Sequence, residues 1–169
     1  MIAVGKIAPD FTLPAVAATV SLTELRSRGA VIVVFYKEDS TPLCTRELVP
    51  FVNDYSDLAA LGAQVVAISS DGLESHAEFA RRLRIPFPLA SDPDLAVARA
   101  FGVADEDSRR AKRAVFVVGR DGRLLHANPD YNPGNTADYE SVVVALGAPR
   151  RDEGNRRCDG SYHWPRLRR

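Results

Sequence analysis

The sequence predicts an α/β fold, a three-layer α/β/α sandwich around a mixed sheet. Three observations carry that expectation. Two continuous β-branched and aromatic runs, residues 31–36 (VIVVFY) and 64–69 (QVVAIS), have the composition of strands buried on both faces. A helix-like segment follows each run, and crossovers through helices imply parallel pairing. A third run, residues 114–118 (AVFVV), leads through a Gly-containing turn at 119–122 into a returning strand at 123–127, which adds an antiparallel strand.

The elements follow in order. Residues 5–14 form a Pro-punctuated extended lead-in. Ser21 and Glu24 have capping-box spacing and open a short helix. After the first strand, Thr41 serves as a helix N-cap, and Pro42 suits the first helical position because its missing N–H has no intrahelical partner there. That helix is expected to reach about Leu61, with Leu48, Val52, Tyr55 and Ala59 on one face and a bend at Pro50. Asp71 is expected to cap a helix over roughly 73–83. The two prolines of Ile85-Pro86-Phe87-Pro88 demand extended backbone. Asp92-Pro93 opens a short helix that runs to Phe101 and stops at Gly102. Tyr139, Val142, Val143 and Leu146 mark a last amphipathic helix. This order of elements is thioredoxin-like. The domain is expected over residues 1–148, followed at 149–169 by an Arg-rich tail read as mobile.

Composition narrows the function classes. The 169 residues are 46% hydrophobic and 26% charged, ordinary for one globular domain. Formal net charge is zero, so no global field draws the chain to nucleic acid or to an anionic membrane. No known nucleic-acid-binding motif accompanies the tail arginines, and no nucleic-acid partner is expected. No apolar run approaches the ~18 residues of a membrane helix. The opening Met1–Lys6 lacks the basic-then-apolar pattern of a leader, so a cytoplasmic location is expected. Two cysteines, Cys44 and Cys158, make no disulfide scaffold. His76, His126 and His163 are scattered, and neither a metal nor another cofactor is expected.

The chemistry concentrates at Cys44. With Thr41 as N-cap, Cys44 is the third helical residue, facing the unpaired amides and the positive end of the helix dipole. Both favour the thiolate, which is the nucleophilic form. The Thr41 hydroxyl lies one turn before the sulfur. Arg113 opens the third strand and could reach the same end of the sheet, where its fork of donors would hold a thiolate and a departing oxygen. A sulfur sealed away from solvent with Arg113 pointing elsewhere would leave this reading without foundation.

Over about residues 3–146 the chain resembles a peroxiredoxin. Gly5-x-x-Ala8-Pro9-Asp10-Phe11 is similar to that family's N-terminal signature, and Thr41-Pro42-Leu43-Cys44-Thr45-Arg46-Glu47 to its active-site run, in the form of the bacterioferritin-comigratory and one-cysteine groups. Leu61-Gly62-Ala63, Val65–Ser69, Ser75-His76, Phe87-Pro88-Leu89-x-Ser91-Asp92 and Arg113-x-x-Phe116-Val117-Val118 follow in family order. The resemblance implies a thiol-dependent peroxidase. Cys44 would be the peroxidatic cysteine, Thr41 and the Cys44 amide would hold the peroxide, and Arg113 would support thiolate and transition state. The partners implied are a peroxide substrate and a thioredoxin or small-thiol reductant.

Two positions depart from the family pattern. Lys37 stands where proline is usual, and Val49 stands where a nearby resolving cysteine often sits. Cys158 is then the internal candidate for resolution, within the chain or across a homodimer, the alternative being a one-cysteine cycle. Two other functions stay open: a redox sensor or binding module with little turnover, and a thiol–disulfide oxidoreductase. The last is disfavoured because Thr41 and Glu47, not cysteines, lie three residues either side of Cys44.

Overall fold

The computed structural model describes residues 2–147; Cys158 and the remainder of the Arg-rich segment 149–169 lie outside them. A hairpin of β1 (Thr12–Pro14) and β2 (Thr19–Ser21) comes first. Ser21 then caps α1 (Leu22–Arg28), its hydroxyl accepting from the Glu24 amide at 3.4 Å. β3 (Ala30–Phe35) feeds α2 (Pro42–Asn53) and α3 (Tyr55–Ala60), and β4 (Ala63–Ser69) feeds α4 (Leu73–Leu83). The chain continues through β5 (Leu89–Ser91), α5 (Ala96–Ala100), the hairpin β6 (Ala104–Asp105) and β7 (Arg110–Ala111), then β8 (Ala114–Val118), β9 (Leu124–Asn128) and α6 (Thr136–Ala145).

The central sheet has the order β5-β4-β3-β8-β9. β3 and β4 pair parallel, as do β4 and β5, while β8 runs antiparallel to both β3 and β9. This is the expected three-layer thioredoxin-like sandwich. The period-2 pleat divides the sheet's side chains between two cores. Val31, Val33, Phe35, Val66, Ile68, Phe116 and Val118 face α1 and α5. Ile32, Val34, Tyr36, Val65, Ala67, Val115 and Val117 face α2, α3, α4 and α6. Burial on both sides explains why these strands read as continuous apolar runs.

Several expectations are corrected. The helix foreseen to about Leu61 does not merely bend at Pro50. α2 ends at Asn53, the Asp54 amide returns to the Pro50 carbonyl at 3.0 Å, and α3 starts afresh. The Tyr139 hydroxyl from α6 donates to Asp54 Oδ2 at 2.7 Å and ties the break down. The buried stripe is Cys44, Glu47, Leu48, Phe51 and Leu58, whereas Val52 and Tyr55 are half-buried and Ala59 is exposed. A hydrophobicity pattern does not place a glutamate inward, so the stripe was misassigned. Asp71 does not cap α4. Gly72 takes that position, and the Asp71 carboxylate instead serves Ser69, Asp39 and Arg110. Asp92 does act as a cap, but from a distance, accepting from the amides of Val97 and Ala98. The short strands β1, β2, β5, β6 and β7 are below the length at which periodicity is legible.

Candidate active site

β3 delivers the chain to the site. Past Phe35, Tyr36 keeps the strand direction, and its amide donates to the Ile68 carbonyl at 3.1 Å. The segment Lys37–Ser40 then turns into α2 through Ser40, whose φ of +66° lies in the left-handed region. Thr41 is the N-cap, as predicted, and its Oγ1 accepts from the Cys44 amide at 3.2 Å. Pro42 and Leu43 of the first turn are exposed, and Cys44 points inward.

Cys44 is completely buried, 0% exposed. Solvent therefore does not reach the sulfur directly. The side chain sits on the apolar face of α2 with Leu48 and Phe51. The Cys44 amide is likewise not idle, because Thr41 Oγ1 already accepts from it.

Arg113 does stand at this end of the sheet. Ala114 pairs with Phe35 in the antiparallel register, so Arg113 enters beside the exit of β3. Its Nε lies 3.8 Å from Glu47 Oε2, and its side chain is one-fifth exposed (21%). Glu47, one turn beyond Cys44, is 0% exposed, and neither its oxygens nor Arg113 Nε has a hydrogen-bond partner among the described residues. Burial first, and the Cys44 charge second, push the Glu47 carboxyl well up, while Arg113 opposes them. At 3.8 Å without a hydrogen bond, that attraction does not offset desolvation. Cys44 and Glu47 thus share one buried face of α2. Tyr131 closes the neighbourhood: its amide donates to the Arg113 carbonyl at 3.1 Å, and its phenol is pushed up by burial and then by the charge of Glu47.

Cys44 and Thr41 thus meet in one turn, with Arg113 reaching it through Glu47. Lys37 is half-buried in the loop; the Asp105 carboxyl is held down by its Ser108 bonds, with the Lys37 charge the smallest contribution. Cys158 lies outside the described residues. Sequence reasoning passed over Glu47 and the cluster Tyr36–Asp39–His76. The signals for Glu47 are its place in the run Thr41–Glu47 and its position one helical turn after Cys44, on the same face.

A thiol at the mouth of the helix that leaves the central strand of such a sheet is the architecture of thioredoxin-fold thiol proteins. The profile of the AhpC/TSA family matches residues 4–127, and the chain belongs to that family. Among its relatives is peroxiredoxin 2 of Thermoplasma acidophilum, 35% identical over 120 residues, which are 68% of this chain and 60% of that protein. A Mycobacterium tuberculosis protein that carries the peroxiredoxin name is 41% identical over 130 residues, 73% of this chain and 82% of the relative. The match spans only about 60% of the length of the two Thermoplasma relatives. Among solved structures, the peroxidoxin BcpB of M. tuberculosis superposes with a TM-score of 0.78 at 30% identity, covering 85% of this chain and 96% of that one. AhpC of Enterococcus faecalis superposes at 0.77 and 28%, covering 87% and 92%.

Proposed function

We propose that the chain is a thiol-dependent peroxidase that reduces hydrogen peroxide or small organic hydroperoxides at Cys44. The observation that carries the reading is the convergence of the one free thiol among the described residues, a helix N-terminus and the Arg113–Glu47 pair at one end of a peroxiredoxin-like sheet. Family membership and the peroxiredoxin relatives support it.

The Cys44 thiolate attacks one peroxide oxygen in line with the O–O bond. An S–O bond forms and the O–O bond breaks. Sulfur loses two electrons and the peroxide gains them. The second oxygen leaves as hydroxide or alkoxide and takes a proton to become water or an alcohol, and Cys44 remains as sulfenic acid. Arg113 faces the negative charge that grows on the leaving oxygen, the place where a fixed donor contributes most, about 10²- to 10³-fold. The Thr41 oxygen is occupied as an acceptor by the Cys44 amide, so its hydroxyl proton is the part it offers to the peroxide. A reductant thiol then attacks the sulfenic sulfur and releases water, leaving a mixed disulfide. A second thiol displaces Cys44 from it. Thioredoxin or a small thiol fills this role, with Cys158 as the internal candidate for the first attack. The reaction takes place in the cytoplasm. No helix among the described residues is long and apolar enough to cross a membrane, and none of their His, Cys, Asp and Glu side chains cluster as a metal site.

Stopped-flow mixing of the reduced protein with peroxide tests the reading. Rapid loss of one thiol, and a Cys44 peptide heavier by one oxygen, is the expected result; loss no faster than that of free cysteine overturns it. A non-reducing gel of Cys158→Ser after one equivalent of peroxide decides resolution, and an unchanged disulfide pattern removes Cys158 from the cycle. The complete burial of Cys44 favours a second reading, a redox sensor oxidised quickly and recycled slowly. Fast oxidation followed by no steady-state turnover with either thiol reductant selects it.

A further inference from the structure

We propose that Asp39 and His76 form a latch that holds the first turn of α2 closed over Cys44; they are positioning residues that favour the peroxide step and restrain the reduction step. This rests on Cys44 being the reacting thiol.

The first turn of α2 has little packing of its own. Pro42 and Leu43 are exposed, Thr41 and Thr45 are half-buried, and only Cys44 faces the core. Its position therefore depends on the loop before it. That loop is gripped at Asp39. Asp39 Oδ1 accepts from the Tyr36 hydroxyl at 2.7 Å, and Oδ2 accepts from the Ser75 hydroxyl at 2.7 Å and faces His76 Nδ1 at 2.8 Å. The Asp39 amide donates to Asp71 Oδ2 at 2.8 Å, and Arg110 holds the other oxygen of Asp71 while pairing with Glu38.

His76 comes from α4 and is wholly buried. Its Nδ1 also lies 3.2 Å from the Tyr36 hydroxyl, and its Nε2 donates to the Ala90 carbonyl of β5 at 3.1 Å. Both ring nitrogens face oxygens, so the ring acts as a strut between the sheet edge and the loop. The side chains of the pair are 0% and 3% exposed. Beyond Asp39, Ser40 holds a positive φ, a conformation that a non-glycine residue keeps only where its surroundings impose it. A loop under such constraint, anchored on one side by a buried pair, is built to open when the anchor fails.

Opening matters in opposite directions for the two half-reactions. Attack on a small peroxide gains from a held geometry of Thr41, Cys44 and Arg113. Attack by a protein thiol on a wholly buried sulfur requires the turn to move away. Weakening the latch should therefore slow the first and speed the second in protein that keeps a cooperative thermal transition by circular dichroism, whereas loss of fold would move both rates together with that transition, and a residue of no consequence would change neither.

The experiment uses the full chain with His76→Leu, which removes both ring nitrogens, His76→Asn, which keeps one nitrogen near Asp39, and Ser75→Ala, which removes one surface-side hydroxyl. Two rates are measured at one pH: peroxide reaction by stopped flow, and alkylation of the Cys44 peptide by a bulky maleimide, read by mass spectrometry. His76→Leu is expected to lower the first roughly tenfold and raise the second roughly tenfold, an opening cost reduced by one strong hydrogen bond. His76→Asn should recover most of both changes. Should His76→Leu not fold, Ser75→Ala carries the test, with opposite shifts of about threefold. Rates that both stay at wild-type values, or no recovery in His76→Asn, overturn the latch. If wild-type protein ignores peroxide, the peroxidase reading fails while the alkylation rates still decide the latch.

Discussion

The two faces of the central sheet come from the same strands, yet they bury different chemistry. On the α1/α5 side, Phe11, Phe35, Phe101 and Phe116 pack with ring centroids 5.1 to 6.3 Å apart. The charged group buried there, Asp92, has both oxygens occupied by helix amides. On the α2/α6 side, the core of Leu48, Phe51, Phe79 and Val142 also takes in Cys44, Glu47, Tyr36 and His76. There, Glu47 is buried without a hydrogen bond. A buried carboxyl group without a hydrogen bond is costly, and one beside a thiol indicates a surface shaped for chemistry rather than cohesion. One face supplies stability, and the other spends part of it.

Four substitutions would break or sharpen that contrast. Cys44→Ser should abolish peroxide consumption while leaving a cooperative thermal transition by circular dichroism; residual turnover would move the chemistry elsewhere. Phe101→Ala, on the opposite face, should destabilise the fold by about 3–5 kcal/mol in urea titration, with little change in activity per folded molecule. A large loss of activity in the folded fraction would mean that the faces are coupled.

Glu47→Gln should slow the peroxide reaction by roughly tenfold, by freeing Arg113 from its partner, and should also alter the pH dependence of stability. The folded-state carboxyl is raised, so between its ordinary value of 4.5 and the raised one the folded chain binds more protons than the unfolded chain. Stability from this group is thus complete below 4.5 and is lost as pH rises through that window. Urea titrations at several pH values should show this decline in the wild type, and the Gln variant should lack it; parallel curves would mean that Glu47 is hydrated. Lys37→Ala should have the smallest effect, within about 0.5 kcal/mol in stability, because the side chain is half-exposed and its charge acts only weakly on Asp105. A severalfold change in peroxide rate would instead make Lys37 part of the site.

Much of the site could be read from residue order. The Thr41 cap, Pro42 at the helix start and Cys44 at its third position follow from local capping chemistry, and the structure reproduces them. The approach of Arg113 could be foreseen from a resemblance and from mixed-sheet topology, but its register opposite the exit of β3 could not be read locally. Glu47 and His76 were passed over for a shared reason. A charged or polar residue at an inward position looks, in sequence, like one that faces water, and only the packing of distant segments decides otherwise.

The order of the four long strands and the helices between them, the capped start of α2 and the double-sided burial of β3 and β4 were determined by the sequence alone, because each depends on neighbours within a turn or on a run of apolar residues. Tertiary structure decided the complete burial of Cys44, the break at Asp54, the burial of Glu47 without a hydrogen bond and the grip of His76 on Asp39. Those features depend on which remote surfaces meet, and desolvation and long-range hydrogen bonding exist only once they have met.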